Sequence, residues 1–424
     1  MLDIKFIVQN PDVVKKAARD KNMSMDVDSL LAVYEDVKSL TSQADSLRGE
    51  RNSLSREIPK LKGEAQQQGI IRVRDLKDEI SEIEGRLAVV KEEFDELMLL
   101  VPSIPLPEVP IGKDEADNVE LRRVGEVPQF AFAFKDHLEL AEALDIVDIP
   151  RAVEIAGSRS FMLKNAGALL EMAVTRFVID RLMAKGFNLL TVPVLVRERA
   201  MMGTGYFPLG RDQAYVVPED ELYLVGTSEV PMVSYHMDEI LSYRDLPLRY
   251  TALSTCFRRE AGTYGKDTRG FYRVHQFQKV EQVVFCPADD EIAEKLHLEL
   301  LQNVEEILQD LELPYRVALA CTGEIGAGQV RKHEVETWMP SRNAYSETHS
   351  CSTLNDYQSR RLNIKYRDSD GKSKFCYTLN NTGIASPRIL IPLLENHQNE
   401  DGSVNIPKVL WPYMNGLKKL APKE

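Results

Sequence analysis

Few of the 424 residues are cysteine: five, at Cys256, Cys286, Cys321, Cys351 and Cys376. They stand singly, with no CxxC pair, so the chain carries neither a disulfide framework nor a typical zinc site. A reducing cytosol, and so a cytoplasmic protein, is the expected setting. No apolar run approaches the ~20 residues of a membrane helix. Met1–Asn10 has a Lys and an Asp but no apolar core, which excludes a secretory leader. Basic residues are also short of acidic ones: 53 Lys+Arg against 66 Asp+Glu, a net charge of −13. A chain this acidic does not coat nucleic acid in general, but it can bind RNA where its basic residues gather. Repeats and low-complexity tracts are absent. What remains is ordinary globular composition, 43% hydrophobic and 28% charged, long enough for two or three domains.

A short helical entry (Asn10-Pro11-Asp12, then Val13–Asp20) leads into a long heptad. Its apolar positions are Leu30, Val33, Val37, Leu40, Ala44 and Leu47; Arg51 takes the next seam position, then Leu54, Ile58 and Leu61 follow. Steps of 3 and 4 are a coiled-coil seam. Pro59 predicts a kink or an end, and the Gln- and Gly-rich stretch Gly63–Ile71 predicts a break. A second seam runs Leu76, Ile80, Ile83, Leu87, Val90, Phe94 and Leu97. Two such helices joined by a turn predict an antiparallel hairpin over about residues 28–100. Alone, the pattern also suits a spacer or a dimer zipper. Charge points elsewhere. Between Leu47 and Lys77 eight basic residues (Arg48, Arg51, Arg56, Lys60, Lys62, Arg72, Arg74, Lys77) face four acids (Glu50, Glu57, Glu64, Asp75). A basic tip on an acidic stalk suggests contact with phosphate.

Pro102, Pro105, Pro107 and Pro110 mark a linker, and the domains read as 1–101, a connector 102–120, and 121–424. The last part mixes a helix (Ala168–Lys185), a β-rich run broken by Pro193 (Leu189–Val196), two strands (Leu248–Phe257 and Arg273–Phe285) and a helix (Asp289–Leu311). Strands joined through loops favour antiparallel pairing, so the expected class is α+β: a coiled-coil hairpin plus an antiparallel sheet flanked by helices.

The densest chemistry is Thr255-Cys-Phe-Arg-Arg-Glu-Ala-Gly262, a loop with Lys266, Asp267 and Arg269, then Phe271-Tyr-Arg-Val-His-Gln-Phe-Gln-Lys-Val-Glu281. On a strand, Arg273, Phe277 and Glu281 share a face. A cation for phosphate, a ring for a base and a carboxylate for an amine or hydroxyl suit a nucleotide. A surface strand pair laced with salt bridges is the alternative. Ser386-Pro387 predicts a helix start with Arg388 in its first turn, where free N–H groups favour an anion; Pro392 then predicts a kink. Gly323–Gly328 resembles a phosphate loop but lacks the following Gly-Lys-Ser/Thr, and reads as a turn. His333, His349 and Cys351 lack zinc spacing, whereas Glu347 and Ser350 offer oxygens suited to Mg²⁺. His275 shares the parity of Arg273 without an evident partner.

The Phe257-Arg-Arg-Glu260 segment with its loop resembles motif 2 of the class II aminoacyl-tRNA synthetases. Leu379-Asn-Asn-Thr-Gly-Ile-Ala-Ser-Pro-Arg388 resembles motif 3, and Ala173–Pro193 resembles motif 1, the family's dimer interface. Gly226-Thr-Ser-Glu229 and Glu347-Thr-His-Ser-Cys-Ser352 are similar to signatures of the seryl-tRNA synthetases, bacterial type, as is the hairpin to their tRNA-binding arm. The resemblance spans essentially the whole chain. It implies ATP-dependent activation of L-serine to seryl-adenylate and transfer to tRNA(Ser), with tRNA(Sec) as a further candidate, by a homodimer without covalent enzyme intermediates. It further implies serine contacts from Thr227, Ser228, Glu229, Arg258, Glu281, Asn380 and Thr382. ATP would be held by Arg258, Arg259, Glu260, Arg273, Val274, Phe277, Glu347, Thr348, His349, Ser350 and Arg388. In more detail, Glu260 would read the adenine amine and Phe277 would stack on adenine. Arg388 would cover the ring's other face or meet the γ-phosphate. Mg²⁺ would sit on Glu347 and Ser350, with no zinc, and tRNA would meet Arg48, Arg51, Arg56, Arg72 and Arg74. A relative that passes serine to another acceptor, a catalytically dead relative, and a nucleotide-binding coiled-coil adaptor are the competing readings.

Overall fold

The computed structural model describes residues 1–262 and 270–422; the loop residues Lys266, Asp267 and Arg269 lie outside the described residues. By internal contacts the chain forms two units, Met1–Arg19 with Met23–Ile104, and Asp20–Asn22 with Pro105–Glu424.

In the first unit two long helices, α1 (Val27–Glu57) and α2 (Glu64–Leu99), pack as an antiparallel hairpin. At ~1.5 Å per residue each is roughly 45–55 Å long. The predicted seam is the packed one: Leu30, Val33, Leu40 and Ala44 of α1 and Leu76 and Ile80 of α2 are buried. Tyr34 meets Phe94 with ring centroids 5.6 Å apart, and Arg48 reaches Glu84 at 2.7 Å. α1 stops at Glu57, just before Pro59, in a short 3₁₀ turn Ile58–Lys60. The expected break over Gly63–Ile71 is much shorter than the sequence suggested. Only Gly63, with φ +65°, interrupts the helix, and α2 runs unbroken from Glu64. Gln is a good helix former, and Gly69 is tolerated because it packs on Ile58.

The second unit is built on an eight-stranded sheet: β1 (Val119–Val124), β2 (Asn188–Leu190), β3 (Leu248–Phe257), β4 (Gln276–Cys286), β5 (Tyr315–Leu319), β6 (Arg331–Met339), β7 (Ala344–Asn355) and β8 (Tyr377–Ser386). The spatial order is β1-β5-β6-β7-β8-β4-β3-β2. Every pairing is antiparallel except the edge pair β2–β3. The run Leu189–Val196 is therefore not one strand. Its start joins the large sheet, and beyond Pro193 the segment Leu195–Arg197 joins a separate three-stranded sheet.

Two helices cover one face of the sheet, α3 (Asn165–Ala184) and, after the short α4 (Glu229–Ser234), α5 (Asp290–Asp310). α5 buries Ala293, Leu296, Leu300, Val304 and Ile307, spaced 3 and 4 apart, with Leu308 beside them, as an amphipathic helix on a sheet must. They pack with Val280, Val284, Val317, Val335 and Leu379. Two further short helices, α6 (Tyr357–Leu362) and α7 (Leu390–Asn396), follow β7 and β8. The proline-rich connector is anchored on this unit: Val109, with Leu106 against it, packs on Ala320 and Ile325, and Leu106 N–H donates to the Val330 carbonyl at 2.9 Å.

Ser386 does not cap a helix. It ends β8, paired with Gln278, and its hydroxyl donates to Glu171. α7 starts only at Leu390, which leaves Arg388 in the connecting turn. Pro392 is then the third helical residue. First-turn N–H groups have no intrahelical acceptor, so the proline removes no bond and needs no kink.

Candidate active site

The sheet face opposite α3 and α5 floors a cavity of about 410 Å³. Strand parity explains much of its lining. On β4, Val280, Gln282 and Val284 face the helices, while Phe277, Lys279 and Glu281 face the cavity. On β8, Asn380 and Thr382 face it, and a register shift at Gly383 then turns Ala385 the same way. Gly383 has little room for a side chain there: a Cβ would stand 3.1 Å from the Val280 carbonyl.

One wall gathers two buried carboxylates. Glu281 lies beside Lys279 and is hydrogen-bonded to Thr382, its cross-strand partner. Burial raises its pKa, opposed by Lys279, Arg258 and Thr382. Glu229, at the start of α4, accepts from Gln358 at 2.7 Å and Asn380 at 2.8 Å. Its pKa is pushed up to about 7, by burial and then by the charge of Glu281. Tyr206 completes this wall, its hydroxyl pKa raised by burial and by the nearby carboxylates. Two acids, an amide and hydroxyls in so small a space suit a small molecule with an ammonium and a hydroxyl.

The other wall is guanidinium and ring. Arg258, one residue beyond β3, lies over Phe277 at 5.1 Å from the ring centroid. Arg273 donates to Glu260 at 2.8 Å, and Glu260 holds a φ of +53°, a conformation most residues avoid. Arg388 lies over Tyr272 at 4.3 Å and donates to Glu347 at 3.3 Å; Arg342 lies over the same ring, also at 4.3 Å. Glu347 and Ser350 differ in parity, yet both line the cavity. A bulge at Thr348, where Val335 pairs with His349 and Glu336 with Glu347, re-aims the strand between them. His349 is kept neutral, its pKa lowered to about 3 by burial and by Arg388. Guanidinium groups and aromatic rings suit a phosphate chain and a base.

Two family models match the chain: "tRNA synthetase class II core domain (G, H, P, S and T)" over 215–397 and "Seryl-tRNA synthetase N-terminal domain" over 1–105. A serine–tRNA ligase of Deinococcus radiodurans is 48% identical over 99% of both chains. The chain belongs to the seryl-tRNA synthetase family. A crystal structure of the seryl-tRNA synthetase from Pyrococcus horikoshii complexed with ATP superposes with a TM-score of 0.93 at 38% identity, covering 100% of each chain. A cytoplasmic serine–tRNA ligase from Naegleria fowleri in complex with AMP gives 0.85 at 28% identity, covering 98% of this chain and 96% of that one.

Of the residues that the sequence pointed to for serine and ATP, the cavity brings together Glu229, Arg258, Glu260, Arg273, Val274, Phe277, Glu281, Glu347, Thr348, His349, Ser350, Asn380, Thr382 and Arg388. Three others do not line it. Thr227 accepts from the Glu229 N–H at 3.2 Å, and Ser228 donates to the Ala252 carbonyl at 3.4 Å, so both hydroxyls are used locally, beside Glu229. Arg259 points away and donates to the Asp212 carbonyl at 3.1 Å. Arg273 lines the cavity, but not by strand parity, because β4 begins only at Gln276. His275 has a partner: its ring Nδ1–H donates to the Arg258 carbonyl, 2.9 Å away.

Lys279, Tyr206, Tyr272 and Tyr357 line the cavity without having been singled out. Lys279 was legible, being of the same parity as Phe277 and Glu281. Tyr272 stands in the same segment, next to Arg273, whereas Tyr206 and Tyr357 come from distant segments with no local signal. On the hairpin, Arg48 is paired with Asp45 and Glu84, and Arg72 with Glu50 and Glu79. Arg51, Arg56 and Arg74 form no ion pair among the described residues; Arg51 donates to the Asn52 side chain at 3.3 Å.

Proposed function

We propose that the chain activates L-serine with ATP and transfers it to tRNA(Ser). The observation that carries this reading is the single cavity in which a buried carboxylate pair faces a guanidinium–aromatic wall. The serine ammonium and hydroxyl are met by Glu281, Thr382, Glu229 and Asn380. Arg258 holds the serine carboxylate and the α-phosphate together, with Phe277 against adenine and Glu260 at its amine. Arg273 and Arg388 face the phosphates. The serine carboxylate attacks the α-phosphorus and pyrophosphate leaves. The terminal ribose hydroxyl of tRNA then attacks the adenylate carbonyl, and AMP leaves. Catalysis is positioning and charge neutralisation by fixed groups.

Among the described residues no cluster of three or more His, Cys, Asp or Glu could cage a metal. Glu347 and Ser350, brought to one wall by the bulge, nonetheless fit Mg²⁺, which commonly binds through one or two carboxylates plus substrate phosphates. When bound there, Mg²⁺ would neutralise phosphate charge.

The basic hairpin tip would read tRNA backbone, with Arg51, Arg56 and Arg74 favoured over the ion-paired Arg48 and Arg72. tRNA(Sec) is a second candidate acceptor. Homodimerisation through the Ala173–Pro193 region is supported by exposed Met183 and Leu189, the latter on the sheet's β2 edge. A cytosolic setting is supported by five free, buried cysteines, and no described helix is long and apolar enough to cross a membrane.

Serine-dependent ATP–pyrophosphate exchange, followed by charging of tRNA(Ser), tests the reading. Exchange without charging would indicate another acceptor, and absence of both would reject it. Sedimentation of an active monomer would reject the dimer.

A further inference from the structure

The Gly323–Gly328 run that the sequence reads as a turn forms part of the cavity wall, through Gly326, Ala327, Gly328 and the following Gln329. On one side this strap leans on Tyr357: a Cβ at Gly328 would stand 2.4 Å from the Tyr357 ring. Tyr357 also lines the cavity, and its neighbour Gln358 donates to Glu229. The strap therefore abuts the wall that carries the carboxylates.

On the other side its carbonyls converge on one cation. Lys21 Nζ donates to the carbonyls of Gln329 at 2.6 Å, Ala327 at 3.0 Å and Gly326 at 3.1 Å. Asp20–Asn22 group with the second unit despite their place early in the chain. Lys21 is only 5% exposed, and burial pushes its pKa down to about 7. An ammonium has three donors, and here three carbonyls replace the water it has lost. Lys21 forms no ion pair among the described residues, so its burial serves no carboxylate. The strap has turn bonds of its own, Gln329 N–H to the Gly326 carbonyl at 3.1 Å and Gly326 N–H to the Gln329 side chain at 2.6 Å, and Lys21 adds the cation on which three of its carbonyls converge.

We propose that Lys21 is a positioning residue for the amino-acid end of the cavity, holding the Gly326–Gln329 strap against Tyr357. This rests on the serine-activating reading above. Lys21 acts through the strap and touches no reacting group.

The test is exchange kinetics of the full chain with serine and ATP varied separately, for the wild type, Lys21→Met and Lys21→Arg. Lys21→Met should raise KM for serine at least about tenfold and leave KM for ATP within about twofold, and Lys21→Arg should recover most of the loss. A serine KM unchanged in Lys21→Met, or both KM values rising together without rescue by Arg, would overturn the inference. Should Lys21→Met fail to fold, Gly328→Ala displaces the strap from its Tyr357 side. It should raise the serine KM selectively, and an unchanged KM there would equally overturn the inference. No exchange by the wild type would instead reject the serine-activating reading itself.

Discussion

Lys279 and Glu281 stand two residues apart on one face of β4 and form an ion pair whose side chains are 8% and 2% exposed. With Glu229 close enough for its pKa to respond to Glu281, one ammonium stands near two buried acids. The pair is costly to bury, and its removal on one side leaves an uncompensated charge.

Lys279→Met should therefore both weaken serine activation and destabilise the fold, the latter by about 3–5 kcal/mol, the usual effect of breaking a buried pair. The destabilisation should depend on pH. Without Lys279, the folded-state pKa of Glu281 rises further above its unfolded value. Such a group favours folding at low pH, and that favour is lost as pH rises through the folded pKa. Denaturant unfolding should thus show a smaller deficit at pH 5.5 than at pH 8. An equal deficit at both would place the effect in packing rather than charge.

Glu281→Ala should abolish serine-dependent exchange while calorimetry shows ATP binding largely kept. Glu281 and Thr382 form a hydrogen-bonded pair facing the cavity. Near-normal exchange in the variant would remove Glu281 from serine recognition.

Burial and the charge of Glu281 push the pKa of Glu229 up to about 7, above the ordinary carboxylate range. Binding an ammonium beside it favours the ionised form, so serine binding should release a proton near neutral pH. Affinity should then fall as pH drops below 7, by up to about tenfold per unit. Calorimetry in two buffers of different ionisation enthalpy reads this directly. Zero proton release between pH 6 and 7 would show that Glu229 does not meet the ammonium.

The hairpin tip offers a separable prediction. Replacing Arg51, Arg56 and Arg74 together by Ala should weaken tRNA binding and lower the slope of log K against log salt by about one per lost phosphate contact. Replacing Arg48 and Arg72, already held by acids of the hairpin, should do less. Removing Glu50–Asp75 and closing the helices with a turn should leave exchange nearly intact and cut charging by orders of magnitude. Loss of both would make the hairpin a folding element; loss of neither would remove tRNA from its role.

Much of this architecture could be read from periodicity. The seam residues Leu30, Val33, Leu40, Ala44, Leu76 and Ile80 are buried as their spacing required, and Leu248–Phe257 is a strand over its whole predicted length. What periodicity could not show is where a register shifts. The bulge at Thr348 brings Glu347 and Ser350 to one wall, against simple parity, and the shift at Gly383 does the same for Ala385. The cost of Pro392 depends on where its helix begins, which periodicity does not show, and Ser386 is strand rather than cap. The glycine-rich strap gave no local sign of its use, since its partners Lys21 and Tyr357 are far away in sequence.

The most direct test compares serine with alanine in ATP–pyrophosphate exchange by one wild-type preparation. Buried groups that need a substrate hydroxyl are left unpaired by an analogue lacking it, so kcat/KM for alanine should be lower by about 10⁴-fold. A serine rate that is absent, or an alanine rate within about tenfold of it, would contradict the assignment of Glu281 and Thr382 as the serine-reading pair.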